Sequence, residues 1–300
     1  MISDNIQAFL NYGRHYWSDA TFAYYDVSLR IFNEFLEQKD IQVSYDTIIN
    51  DYVAYLREYR KKDKKKLSNT SINTYLRAVR SFYNWLYKNG SINVNYFGSY
   101  HKLRSDQEQI VPLTAAEVVK IDSVFKVNTK LGLRDYLIFH LMLDCGLRSQ
   151  EVQHIHVSDV HFDGSFLVIN NSKYNKNRVV PLPAFLLQLI ETHLQKNKQL
   201  DFTSFLLCTT SGEDITKNVI RTLFIKIRKK SGVLRVYPHL LRHTFATSFL
   251  LGGGNLEELR LLLGHSTYNV TQTYLHLSFQ YKITGLDIYK LDNCYFKKGY

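Results

Sequence analysis

The sequence predicts a mainly α-helical protein with one small β-hairpin, arranged as an all-helical first half followed by a mixed α+β second half. Three observations predict it. Apolar residues recur at three- and four-residue intervals over much of the chain, most clearly Ile72, Tyr75, Leu76, Val79, Phe82, Tyr83 and Leu86. The period shortens at Phe166-Leu167-Val168-Ile169 and Arg178-Val179-Val180-Pro181-Leu182, two β-branched runs around the polar, turn-rich stretch Asn170 to Asn177. A polar, aperiodic stretch from Gly98 to Gln109 separates the halves.

Each element has a local reason. In the first half, residues 1–100, the spacing predicts a helix over Ser71–Leu86, with Ser68, Asn69, Thr70 and Ser71 supplying capping groups before it. Arg77 and Arg80 fall off its apolar stripe, so the opposite face is basic. Just upstream, Arg60-Lys61-Lys62-Asp63-Lys64-Lys65-Lys66 is a charge run that no core accommodates, and it is read as a solvated loop. Two readings of the loop stand together: an ordinary soluble surface, or an edge that contacts phosphates and releases their counterions. Residues 101–110 are read as the linker to a second domain, 111–300.

That domain opens on Thr114-Ala115-Ala116-Glu117, a capping-box pattern in which hydroxyl and carboxylate satisfy first-turn donors. A helix over Leu133–Leu143 ends at Gly146, a residue suited to a left-handed cap. Arg148 follows in a tight turn before a short helix with Glu151 and Val152. His154 and His156 precede the hairpin and are read as edge residues. Helical patterns return over Phe185–Leu194, Val219–Lys230, His239–Leu251, Leu256–Leu263 and around Tyr274, with Gly252-Gly253-Gly254 and Gly264 as stops. Beyond Tyr274, the spacing of Ile283, Leu286 and Tyr289, with Ile288 and Leu291 beside them, predicts a short apolar helical face. That face either packs on its own domain or docks on a neighbouring protomer.

Composition narrows the class. The 300 residues carry 38 Lys and Arg against 27 Asp and Glu, a formal charge of +11 and a pI near 9.3, which favours polyanionic partners and nucleic acid first. Cys145, Cys208 and Cys294 are odd in number, widely spaced and without a C-x-x-C pair, so neither a disulfide framework nor a thiolate zinc site is indicated. No basic start with an apolar run marks a signal peptide, and no apolar stretch of about eighteen residues is present to span a bilayer. A cytoplasmic protein with no membrane partner is the expectation.

The chemistry sits in four short motifs: Gly146-Leu147-Arg148-Ser149-Gln150-Glu151, the stretch His239-Leu240-Leu241-Arg242-His243-Thr244-Phe245-Ala246-Thr247, Leu263-Gly264-His265, and Tyr274 nine positions after His265. The three-residue step from His239 to Arg242 puts both side chains on one helix face. Two guanidiniums, two or three imidazoles and one phenol suit the holding of a phosphodiester under attack by an oxygen nucleophile. His239 and His243 have the spacing of a zinc pair, but no glutamate follows His239 and no third ligand is at hand, so no metal and no cofactor is read.

Taken together, these ordered motifs resemble the tyrosine recombinases, the family of phage integrases and Xer proteins. The resemblance implies a helical, SAM-like core-binding domain over residues 1–100 and the family's mixed α+β catalytic domain over 111–300. It implies a site-specific recombinase acting on double-stranded DNA at a core site, through a 3′-phosphotyrosyl intermediate and a Holliday junction. Tyr274 would be the nucleophile and Arg148 and Arg242 the clamp on the non-bridging oxygens. His239 and His265 would bond the same oxygens or assist proton transfer, Glu151 would orient the site, and the hairpin's Lys173 would protonate the leaving oxygen. The family's Gly-Lys-Gly turn reads Ser172-Lys173-Tyr174 here, so Lys173 and Lys176 both stand for that acid. Lys61, Lys62, Lys64, Lys65, Lys66, Arg77 and Arg80 are the candidate DNA contacts. Further implied partners are a tetramer on two sites, nucleoid DNA, and accessory DNA-bending or directionality proteins. Two alternatives share the fold: a catalytically silent DNA-binding regulator, and a type IB topoisomerase-like enzyme.

Overall fold

Four helices follow the apolar period through the first half: α1 Ile2–Arg14, α2 Asp19–Gln38, α3 Ile48–Glu58 and α4 Asn69–Lys88. The computed structural model describes residues 2–38, 47–59, 66–104, 110–170, 177–209, 211–268, 271–275, 278, 281, 285, 287–292 and 295. The chain divides into two units, Met1–Glu108 and Gln109–Tyr300. The first is held by an aromatic core in which Phe9, Phe32, Phe35, Tyr52, Phe82 and Phe97 meet mostly edge to face, the geometry that ring quadrupoles favour. Helix α4 begins two residues before the predicted start because the Ser68 hydroxyl accepts from the Ser71 backbone N–H at 3.2 Å. Arg77, Arg80 and Lys66 are exposed, and the Arg80 guanidinium lies 5.8 Å from the Tyr100 ring centroid. Lys61, Lys62, Lys64 and Lys65 lie outside the described residues. The Asn73 side-chain amide donates to the Leu103 carbonyl and accepts from the Leu103 N–H, both at 2.9 Å, which holds the chain on α4 as far as residue 103.

The second unit contains α5 Ala115–Asp122, α6 Lys130–Asp144, α7 Ser149–Gln153, a three-stranded antiparallel sheet, α8 Ala184–Lys196, α9 Lys217–Ser231, α10 Pro238–Leu251 and α11 Leu256–Leu263. The Thr114 capping box forms as the sequence reads it. In the sheet, β2 Phe166–Ile169 pairs with β3 Arg178–Pro181 in the register Phe166 to Pro181 and Ile169 to Arg178. A third strand, β1 Val160–His161, adds to the outer edge of β2 where the sequence predicted a simple hairpin. It is only two residues long, and pairing rather than composition makes it a strand. Residues 171–176, which carry Lys173 and Lys176, lie outside the described residues. Helix α6 is buried on nearly every side and forms the spine of the unit's core.

Within that spine lies a buried charged cluster. The His140 ring meets Asp144 Oδ2 at 2.7 Å and Asp122 Oδ1 at 3.0 Å. Both partners are carboxylates, so both ring nitrogens donate and His140 is an imidazolium. Burial opposes that charge, but the bonds to Asp122 and Asp144 prevail and push the ring up to about 9. A group raised in this way stabilises the fold fully below its ordinary value near 6.5 and ceases to do so as pH rises toward 9. Urea titrations at pH 6 and pH 9.5 are expected to differ by up to roughly 3 kcal/mol more in the wild type than in His140→Gln. Equal differences in the two proteins would refute the assignment.

The same cluster also holds Tyr289 and Tyr295. Tyr289 Oη donates to Asp144 Oδ1 at 2.7 Å and Tyr295 Oη to the Asp144 carbonyl. Tyr289 N donates to the Leu113 carbonyl at 3.0 Å, while Ile288 and Thr114 form a β-bridge. The helical face predicted beyond Tyr274 is therefore corrected for its described part: residues 287–292 are non-helical, and Ile288 and Leu291 are buried on their own unit. Backbone bonding to Leu113 and Thr114 outweighs the helical spacing. Ile283 and Leu286 lie outside the described residues.

Candidate active site

Two glycines make the site's two turns. Gly146 has φ +62°, and a Cβ there would lie 2.5 Å from a Phe245 ring carbon, so both backbone angle and space exclude a side chain. Gly264 has φ +63°, and its Cβ would lie 3.2 Å from Arg178. The first turn delivers Arg148 to the N-terminus of α7. The second stops α11 and delivers His265.

Arg148 is held locally. Glu151 accepts from the Arg148 backbone N–H at 2.7 Å and from its Nη1 at 2.8 Å, and the guanidinium remains about one-third exposed. Arg242 projects from α10 into the gap between the turns and is 4% exposed. Its Nη1 donates to the Gly146 carbonyl at 2.7 Å, and its Nη2 to the Leu263 carbonyl at 2.6 Å and to His265 Nε2 at 3.0 Å. Burial and the neighbouring Arg148 lower Arg242 to about 9, which leaves it charged at neutral pH.

The Arg242 contact fixes the state of His265. A guanidinium only donates, so Nε2 is an acceptor, the proton resides on Nδ1, and that N–H bonds Thr271 Oγ1 at 3.0 Å. His265 is neutral. Burial first, then Arg242, Arg148 and Arg178, hold it down to about 4. His239 lies one turn before Arg242 on an open part of α10, and burial with the two arginines lowers it as well.

Tyr274 occupies the helical stretch 271–275 and is 5% exposed. Its ring packs with Phe245, Phe249, Leu259 and Leu263, at 5.0 Å from the His243 ring and stacked 6.5 Å from the His265 ring, measured between centroids. Burial raises its phenol, and the fields of Arg242 and Arg148 partly offset that rise. His243 is lowered to about 4 by burial, His239 and Arg242, and its Nδ1 is buried without a partner among the described residues. It serves as a packing neighbour of Tyr274.

The structure thus gathers Arg148, Arg242, His265 and Tyr274, with His239 at the rim; Lys173 and Lys176 are outside the described residues. Sequence reading missed Arg178, whose guanidinium is 10% exposed and bonds both Glu151 oxygens at 2.8 Å. An arginine inside a β-branched run was the available signal, since a buried charge requires a partner. Thr271 was missed too. Three guanidiniums against one carboxylate, with neutral imidazoles, leave a surplus of positive charge suited to an oxyanion whose negative charge grows during reaction.

Comparison with known proteins agrees with this geometry. Residues 112–281 match the phage integrase family, and residues 6–90 match the phage integrase N-terminal SAM-like domain. The tyrosine recombinase XerC of Oceanobacillus iheyensis is 30% identical over 268 residues, covering 87% of each chain. The tyrosine recombinase XerA of Thermococcus onnurineus is 34% identical over 232 residues, covering 75% of this chain and 77% of that one. The fold is shared with the Tn1549 transposon integrase in complex with a circular intermediate DNA, at a TM-score of 0.73 and 21% identity over 94% of this chain and 98% of that one. With the integrase match spanning more than half of the sequence and a relative at 30% identity spanning 87% of it, the chain belongs to the phage integrase family of tyrosine-type site-specific recombinases.

Proposed function

We propose that this recombinase cuts and rejoins double-stranded DNA at a specific core site with Tyr274 as nucleophile. The observation that carries the reading is the convergence of Arg148, Arg242 and His265 beside the buried Tyr274. Tyr274 Oη bonds the scissile phosphorus as the bond to the 5′-oxygen breaks, which leaves a 3′-phosphotyrosyl link and a 5′-hydroxyl. Arg148 and Arg242 bond the non-bridging oxygens, to which a planar guanidinium can present two parallel donors. His239 acts as a neutral hydrogen-bond partner to those oxygens or to the phenol proton, while His265, its Nε2 accepting from Arg242 and its Nδ1 N–H donating to Thr271, holds Arg242 in place. Lys173 or Lys176 supplies the proton to the departing oxygen, by family resemblance. A second strand's 5′-hydroxyl then attacks the phosphotyrosine, frees Tyr274 and reseals the strand, so no external energy source enters.

In this reading residues 1–100 form the core-binding domain, with Arg77, Arg80 and Lys61 to Lys66 contacting phosphates. Residues 101–110 connect it to the catalytic domain, 111–300. Four protomers on two sites pass through a Holliday junction in the cytoplasm, with accessory DNA-bending proteins setting direction. No described helix is long and apolar enough to cross a membrane.

The test uses a nicked duplex from DNA flanking the gene. An SDS-resistant protein–DNA adduct is expected, with the nucleotide mapped by mass spectrometry to the peptide that contains Tyr274, together with products joining two DNA molecules. An adduct without joint molecules supports a topoisomerase-like enzyme, and DNA binding without adduct supports a silent regulator.

A further inference from the structure

Strand β3 begins with a residue outside the four motifs that carry the chemistry. Arg178 opens β3, directly after the 171–176 segment, and its side chain turns inward instead of toward solvent. All three of its nitrogens are engaged. Nη1 and Nη2 donate in parallel to Glu151 Oε1 and Oε2, each at 2.8 Å, and Nε donates to the Leu262 carbonyl at 2.7 Å. Leu262 lies near the end of α11, two residues before the Gly264 turn. One guanidinium therefore joins the strand behind the lysine segment, the helix behind Arg148 and the turn before His265.

The charge arrangement gives the contact a second effect. Glu151 Oε1 is shared by Arg148 Nη1 and Arg178 Nη1, and Oε2 by the Arg148 backbone N–H and Arg178 Nη2. Without Arg178 the carboxylate faces Arg148 alone. Arginine and carboxylate favour a two-pronged pair, so Arg148 would turn fully onto Glu151 and offer less charge and fewer donors to an incoming oxyanion. We propose that Arg178 is a positioning residue for DNA cleavage: it occupies Glu151 so that Arg148 stays available to the phosphate, and it ties the hairpin to α7 and α11. This rests on the recombinase reading above. Arg178 holds Glu151 rather than the phosphate: each of its three nitrogens is bonded inside the protein, to Glu151 or to the Leu262 carbonyl, and its side chain is 10% exposed.

The test compares wild type, Arg178→Met, Arg178→Lys and Arg178→Met/Glu151→Gln for single-turnover adduct formation and for affinity toward uncleaved duplex. The thermal shift induced by orthovanadate, a phosphate analogue, is measured on the free proteins. Arg178→Met is expected to slow adduct formation by about 10- to 100-fold, the scale seen when groups that orient metal ligands are removed, with duplex affinity within about threefold and a smaller vanadate shift. Arg178→Lys should be intermediate, since one ammonium cannot span two carboxylate oxygens and a carbonyl. Adding Glu151→Gln should raise the rate above that of Arg178→Met alone, because the charge that draws Arg148 away is gone. Arg178→Met within twofold of wild type, a parallel loss of duplex affinity, or a double variant no faster than the single would each overturn the proposal. If Arg178→Met does not fold by circular dichroism, Arg178→Lys decides on the same criteria. If wild type forms no adduct, the recombinase reading fails, and the vanadate shifts still decide whether Arg178 frees Arg148.

Discussion

Tyr274→Phe is expected to bind duplex DNA as wild type does and to form no covalent adduct. Removal of a covalent nucleophile typically lowers turnover by about 10⁶-fold, which reads as complete loss in a gel assay. The substitution is clean because the ring, not the hydroxyl, holds the position: it fills the cluster of Phe245, Phe249, Leu259 and Leu263 and lies against His243 and His265. Phenylalanine keeps those contacts, so the thermal midpoint should move by less than about 4 °C. Any adduct that persists at a tenth of the wild-type rate would remove Tyr274 from the mechanism. Burial also raises the phenol, so attack depends on partners that remove its proton and on arginines that stabilise the resulting charge.

Arg242→Lys is the second large effect, and it strikes chemistry and fold together. Lysine has the charge but one nitrogen, and Arg242 serves the Gly146 and Leu263 carbonyls and His265 Nε2. At least one buried acceptor loses its donor, at about 1–3 kcal/mol for each group left unsatisfied. The clamp also loses a fixed donor at the transferring phosphoryl group, a loss of the order of 10²- to 10³-fold when an oxyanion donor is removed. Freed from Arg242, His265 is no longer confined to the tautomer with its proton on Nδ1. Single-turnover adduct formation and urea unfolding check the two arms. A variant with normal stability and a rate within tenfold of wild type would show that Arg242 is neither clamp nor brace.

Much of this architecture is legible in the sequence because its determinants are local. Helix α11 runs Leu256–Leu263, as its helical pattern and Gly264 mark it, and α10 ends at its glycines. The Thr114 capping box needs only four consecutive residues. Arg148, Arg242, His265 and Tyr274 are likewise marked by short motifs. What escaped depends on partners distant in sequence. Arg178 finds Glu151 27 positions earlier and Leu262 84 positions later, and no period or propensity encodes such a meeting. The two-residue strand β1 exists through its pairing with β2. The His265 tautomer follows from an arginine 23 positions away. Beyond Tyr274, three-residue spacing favoured a helix, whereas bonds to Leu113 and Thr114 extend the chain.

Gly264 carries a consequence for how such sequences diverge. Its left-handed backbone angle admits asparagine at modest cost, yet a Cβ there would sit 3.2 Å from the Arg178 side chain, so the arginine would have to give by a few tenths of an ångström while keeping its bonds to Glu151 and Leu262. The absent side chain and the buried arginine are two halves of one fit. Among relatives, positions 178 and 264 should therefore tend to change together, with larger residues at the turn favoured where the strand has given up its arginine.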